Sequence, residues 1–242
     1  MSEMTTLEIS KKIDFSKNPT IFHRFTSLTE FKIAENAEDV NYSVQDGVLY
    51  DLGKTTVVKY PTAKTGEYTF PESVSGISSY AFEGSIGLTE ITIPDTILNI
   101  HEYAFMNCSN LEKVKLPEKI TDIYTSTFNN CQNLSNVKFG SSLKNIAQTA
   151  FCGTAITELD FPDSIENIYD SAFASCKNLK TVKMGQNIVF IHSGAFSNCA
   201  IENYYISSET VTQRSAMGVK ADTIYFEEGV KTIEDDAFAS NY

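Results

Sequence analysis

The chain has 242 residues, of which 42 % are hydrophobic and 12 % aromatic, enough for a continuous core and too apolar for intrinsic disorder. Nineteen Lys and Arg against 31 Asp and Glu leave a net charge of −12, which disfavours nonspecific binding to nucleic acid or to an anionic membrane. No apolar run approaches the roughly 20 residues of a bilayer-spanning helix, so no membrane insertion is expected, and the first 19 residues lack the apolar centre of a secretory signal.

In chain order, residues 1–25 read as a variant N-terminal cap in which Leu7, Ile9, Ile13 and Phe15 cover the first structural unit. Leu28, Phe31 and Ile33 begin a unit that then changes character. Residues 35–66 are expected to form a β-hairpin insertion on one rim, with strands at 41–50 and 56–61 around the polar turn Asp51-Leu52-Gly53-Lys54. Residues 67–242 are repeats. An Ala-Phe or Thr-Phe pair recurs with the ring at Phe82, Phe105, Phe128, Phe151, Phe173 and Phe196, at intervals of 23, 23, 23, 22 and 23 residues. A fixed period of this size marks a unit stacked on copies of itself.

Within one copy, Leu88, Ile91 and Ile93 carry the alternation of a short half-buried strand, and Pro94 stops it. Ile97 and Ile100 form a second short apolar stretch, and Ala104-Phe105 is expected to lie in a single helical turn. The stop is Pro117, Gly140, Pro162 and Gly185 in the next four copies. Stacked copies would align their strands into a parallel sheet at about 4.8 Å per rung. Two worn copies follow, one with Ile201, Tyr204, Ile206, Val211 and Ala216-Met217, the other with Ile224, Phe226, Val230, Ile233 and Ala237-Phe238. The sequence stops inside a repeat without a polar cap, as expected of a fragment of a longer array or of an end covered by a partner or a second copy.

The string Leu-x-x-Ile-x-Ile-Pro-x-x-Ile-x-x-Ile-x-x-x-Ala-Phe-x-x-Cys-x-x-Leu runs through residues 88–111, 111–134 and, with one deletion near Gly153, 134–179. It resembles the BspA-like leucine-rich repeat, and the segment 42–61 is similar to one that recurs in that family. The resemblance covers residues 28–242. It implies an α/β repeat fold, a leucine-rich-repeat solenoid with a parallel β-strand ladder on the concave side and short helical turns, plus the β-hairpin insertion. Residues 1–242 then form a single solenoid. The resemblance also implies a cell-surface or extracellular protein active in adhesion, host-protein binding or coaggregation. The missing signal segment keeps an intracellular location open.

Candidate chemistry is sparse. Cys108, Cys131, Cys176 and Cys199 follow the phenylalanine by three residues and Cys152 by one. Parallel side chains in one column do not converge on a zinc ion, which needs four ligands at about 2.3 Å. A ladder of small buried groups is expected instead. Asn110, Asn133 and Asn178 read as turn stabilisers. His23, His101 and His192 read as exposed, with His101 and His192 four repeats apart. No nucleophile elbow, phosphate loop or zinc helix is present, so no catalytic, cofactor or metal site is expected.

The strand face is the most suggestive surface. Its outward positions include Lys32, Thr69, Thr92, Lys115, Lys138, Asp160, Lys183, Tyr205 and Tyr225, flanked by Glu90, Lys113, Asn136, Glu158, Thr181, Asn203 and Thr223. A mostly basic stripe ending in two tyrosines makes Lys113, Lys115, Lys138, Lys183, Tyr205 and Tyr225 the candidate partner-binding residues. The partner would be a protein, such as a host or surface protein, or an anionic glycan. The expected function is non-catalytic protein–protein interaction or adhesion through the concave strand face. The alternative is a structural or scaffolding repeat region of a longer or intracellular protein with no dedicated ligand.

Overall fold

The structure, a computed structural model, describes residues 4–216, 218 and 220–239. The expected Met217 ring position and the last three residues lie outside the described residues. The chain coils as a parallel-strand solenoid whose repeats touch through three hydrogen-bonded segments. The first is the Leu-x-x-Ile-x-Ile strand. Glu90–Thr92, Lys113–Lys115 and Asn136–Lys138 pair in parallel, residue on equivalent residue. A second run joins Glu158–Asp160, Thr181–Lys183, Ile201–Ile206 and Ala221–Phe226. The two runs part between Lys138 and Glu158. There the 22-residue interval shortens the turn after Phe151 by one residue.

The second segment is shorter: Gly76–Ile77 pairs with Asn99–Ile100, and Asp122–Ile123, Asn145–Ile146, Asn167–Ile168 and Phe190–Ile191 form a ladder of their own. Its isoleucines face inward and are at most 1 % exposed.

The third segment corrects the expected helical turn. Around each phenylalanine the backbone bends through i→i−3 turns and is not helical. From Phe82 to Phe173, the residues two before and two after the ring adopt positive φ, for example Tyr103 (59°) and Asn107 (60°), or Ser126 (55°) and Asn130 (60°). This left-handed kink turns alternate amides outward along the stack. Phe82 N–H donates to the Ala104 carbonyl (2.7 Å), Phe105 to Thr127 (2.9 Å), Phe128 to Ala150 (2.8 Å) and Phe151 to Ala172 (2.8 Å). The amides that a helix would satisfy internally bond the next rung instead, which offsets the steric cost of αL for residues with a Cβ. Helix is confined, among the described residues, to Gln213–Ala216 and the 3-10 turns Phe15–Lys17 and Pro19–Arg24.

The rings themselves form a column. Phe82, Phe105, Phe128, Phe151, Phe173 and Phe196 stack with centroids 4.8 to 5.5 Å apart and planes within 12°. Tyr60 extends the column upstream, 5.2 Å from Phe82. This changes the reading of the insertion. Residues 42–59 form three strands: Tyr42–Gln45 and Val48–Asp51 around a tight Asp46-Gly47 turn, then Thr56–Lys59. The first two pairings are antiparallel, but Thr56–Lys59 pairs in parallel with Gly76–Ile77. The segment is therefore the first rung of the short ladder joined to a meander over its edge, not an ornament on the rim.

The cap has its own core of Ile9, Phe15, Phe22, Leu28, Phe31 and Leu49. Thr6–Ile9 pairs in parallel with Glu30–Ile33, so Lys32 belongs to that small sheet and not to the strand-face stripe.

Stacking leaves no room at two of the strand stops. A Cβ on Gly140 would stand 2.1 Å from the Pro117 carbonyl oxygen and 2.9 Å from the Glu118 Cα, and Gly185 meets Pro162 in the same way at 2.2 Å. Gly140→Ala is expected to destabilise the protein by about 1–3 kcal/mol, because backbone and not a flexible side chain must move. A thermal melt indistinguishable from that of the parent protein would contradict this.

Candidate binding surface

The long ladder fixes the lateral order of the exposed strand residues. Thr92, Lys115 and Lys138 are register partners, as are Asp160, Lys183, Tyr205 and Tyr225. A second lane runs Glu90, Lys113, Asn136 and, after the break, Glu158, Thr181, Asn203, Thr223. The structure therefore brings the predicted residues into two groups, Lys113, Lys115 and Lys138 in the first and Lys183, Tyr205 and Tyr225 in the second.

The stripe is less basic than its composition suggests. Lys113 is paired with Glu90 on the preceding strand, and Lys183 with Glu158 (2.8 Å). The hydrogen bond that Lys113 donates to Glu90 holds its ammonium above the usual lysine range, and the one to Glu158 does the same for Lys183. Lys115 and Lys138 have no ion-pair partner among the described residues. They sit side by side, exposed, on adjacent strands. Like charges directly opposite each other repel, so this pair gains from an anionic neighbour. Tyr205 and Tyr225 form a flat stack with centroids 4.6 Å apart and planes 11° from parallel, and Tyr225 is 41 % exposed.

The repeat itself is matched by a known family. The BspA type leucine rich repeat region aligns, in six copies, over residues 55–179, 99–221 and 144–242. The chain belongs to the BspA-type leucine-rich repeat family. Among solved structures it is similar to a leucine-rich repeat protein from Eubacterium ventriosum, with 25 % identity and a TM-score of 0.65 over 81 % of this chain and 59 % of that one. It is similar also to a leucine rich cell surface protein from Faecalibacterium prausnitzii, with 21 % identity and a TM-score of 0.59 over 98 % of this chain and 50 % of that one. The pneumococcal vaccine antigen PcpA matches at 23 % identity and a TM-score of 0.52, over 90 % of this chain and 49 % of that one. The chain thus spans from about half to three-fifths of the length of these proteins. Among curated proteins, none matches.

In this BspA-type repeat the cysteine position is structural, with one revision. Ser85, Cys108, Cys131, Thr154, Cys176 and Cys199 form the column three residues after each ring. Cys108, Cys131 and Cys176 are fully buried, and their thiols donate to the Phe82, Phe105 and Phe151 carbonyls of the preceding rung (3.0, 3.1 and 3.3 Å). Burial pushes the Cys131 thiol well above its usual range, the opposite of a reactive thiolate. Thr154, not Cys152, fills the slot in the shortened repeat, and Cys152 stands half-buried outside the column. Asn110 donates to the Ile86 carbonyl (2.8 Å), the expected turn role.

The histidines have more company than their exposure suggests. His192 lies beside Asp170 (3.0 Å), His23 beside Glu83 (2.8 Å), and His101 stacks on Tyr124. His23 belongs to a cluster that sequence reading passes over. Lys59 is 2 % exposed, and its ammonium donates to the Tyr80 and Glu83 carbonyls (2.7 and 3.2 Å). Lys59 occupies the alanine position that precedes each stacked ring. Taking Tyr60 as the first ring of the column is the signal that would have placed it inside.

Proposed function

We propose that this BspA-type solenoid is a non-catalytic protein-recognition module of adhesin type, presented at a cell surface, and that it binds through its strand face with residues 1–242 acting as one unit. The adjacent Lys115 and Lys138, neither in an ion pair among the described residues, carry this reading. Their backbones are held at rung spacing by strand pairing, so docking of an acidic surface orders only the lysine side chains and no backbone. The Tyr205–Tyr225 stack supplies a rigid aromatic anchor on the second run of the strand face, which favours a protein partner over a glycan. The likeness to the Faecalibacterium prausnitzii leucine rich cell surface protein supports the surface location.

Two experiments test this. Protease treatment of intact cells should degrade the protein, whereas complete protection would favour an internal scaffold. Immobilised polyglutamate and heparin serve as the acidic-polypeptide and anionic-glycan probes. Lys115→Glu combined with Lys138→Glu is expected to lower affinity for polyglutamate at least tenfold, with no change in melting temperature. An unchanged affinity overturns the assignment of the site, and a preference for heparin overturns the choice of partner class.

A further inference from the structure

We propose a second binding site, between the N-terminal cap and the short-strand face, that takes an aromatic side chain of a basic peptide segment. It is separate from the strand-face site and stands or falls independently of it.

A cavity of about 290 Å³ opens where the cap meets the first rungs. Phe15, Phe22 and Tyr42 form its apolar wall, with Phe15 4.9 Å from Phe22 and 5.0 Å from Tyr42 between ring centroids. Ser78, Ser79 and His101 form its polar side. An aromatic wall facing a few hydrogen-bonding groups suits a flat ring with one polar atom, as in tryptophan or tyrosine.

The surface leading out of the cavity says what should flank that ring. The Ile77–Ile100 pairing sets Ser78 beside His101. His101 stacks on the exposed Tyr124 of the next rung (6.2 Å, 15°). Alongside runs a second stack, Tyr80 on Tyr103 (4.7 Å, 4°). Glu102 lies between these rows in sequence; its carboxylate accepts from Ser79 (3.4 Å) and makes no ion pair among the described residues. Asp122 projects to the same side of its strand as Tyr124, accepts from Thr121 and Asn145, and makes no ion pair among the described residues, with Lys144 of the next rung within its field but bonded to Glu166. Ring faces and unpaired carboxylates together attract lysine and arginine, the first through cation–π contact and the second through charge. The net charge of −12 reinforces the preference.

The chain contains no tryptophan, so tryptophan emission reports on a probe alone. A lysine–tryptophan–lysine tripeptide blocked at both ends is expected to bind saturably with a blue-shifted emission. Glutamate–tryptophan–glutamate should bind at least tenfold more weakly, and lysine–alanine–lysine should fail to compete. Ser78→Phe, which fills the cavity from its polar side, should weaken the basic probe at least tenfold. Glu102→Gln with Asp122→Asn, on the exposed rim, should narrow the gap between the basic and acidic probes even if Ser78→Phe folds poorly. An unshifted emission at millimolar probe, equal binding of the two tryptophan probes, or stronger binding of a neutral chitin oligomer at the same place would each overturn the proposal.

Discussion

Replacing Phe128 by alanine is expected to destabilise the solenoid by about 3–5 kcal/mol and to divide its unfolding into two transitions. Phe128 is fully buried and lies between Phe105 (5.1 Å, 8°) and Phe151 (5.2 Å, 9°). Its truncation removes the apolar burial of one large ring and leaves a cavity open to both neighbouring rungs. Two stacked pairs are lost as well, each contributing about 0.5–1.5 kcal/mol beyond burial. In a stack, each rung contacts only its neighbours, so no distant element bridges the weakened interface. Phe196→Ala, near the end of the column and with one parallel-stacked phenylalanine neighbour, should cost less and leave the rest of the stack cooperative. Urea unfolding followed by circular dichroism checks both. A single transition with an unchanged midpoint for Phe128→Ala would show that the ring column does not couple the repeats.

The fold was legible because one rung repeats its own phase. A 23-residue interval sets the inward face, the strand stop and the ring position without knowledge of any distant contact. Features set by two rungs at once were not legible in the same way. Whether Ala104-Phe105 is helical depends on whether its amides find carbonyls in the next repeat, and Phe105 N–H does at 2.9 Å. Whether the charge of Lys113 is free for a partner depends on Glu90, 23 residues earlier, and for Lys183 on Glu158. Composition counts the lysines but not their cross-rung partners. Cys152 looked like a member of the cysteine column because residue type was followed instead of distance from the ring, and Thr154 holds that place. Asp46-Gly47 is a strong hairpin signal inside the segment read as one strand. Recognising it would have divided that segment and freed Thr56–Lys59 to be the first rung. The second-face cavity needs the cap and the rungs together, and nothing in either alone points to it.

The stability of the protein relative to a Lys59→Met variant is expected to rise between pH 8 and pH 10.5, by at most about 3 kcal/mol. Burial lowers the folded-state pKa of Lys59 to about 8 from an unperturbed 10.5, although the nearby Glu83 and Cys108 act in the other direction. Below pH 8 the lysine is protonated in both folded and unfolded chains, and the desolvation cost is carried in full. Through the window the folded protein releases this proton while the unfolded chain retains it, so stability increases with pH. Above 10.5 the amine is neutral in both states and the cost is gone. Methionine keeps the length and apolar stem without a titrating group. Tyr60, which burial pushes up to about 12, opposes the trend above pH 10, but it is present in both proteins and cancels in the difference. The hydrogen bonds from Lys59 to the Tyr80 and Glu83 carbonyls limit how far the ammonium is destabilised, which makes about 3 kcal/mol a ceiling. Parallel denaturant titrations of the two proteins across pH 7 to 11 measure the effect. A pH-independent difference would mean that the ammonium keeps its proton through the window, held by Glu83 and the two carbonyls.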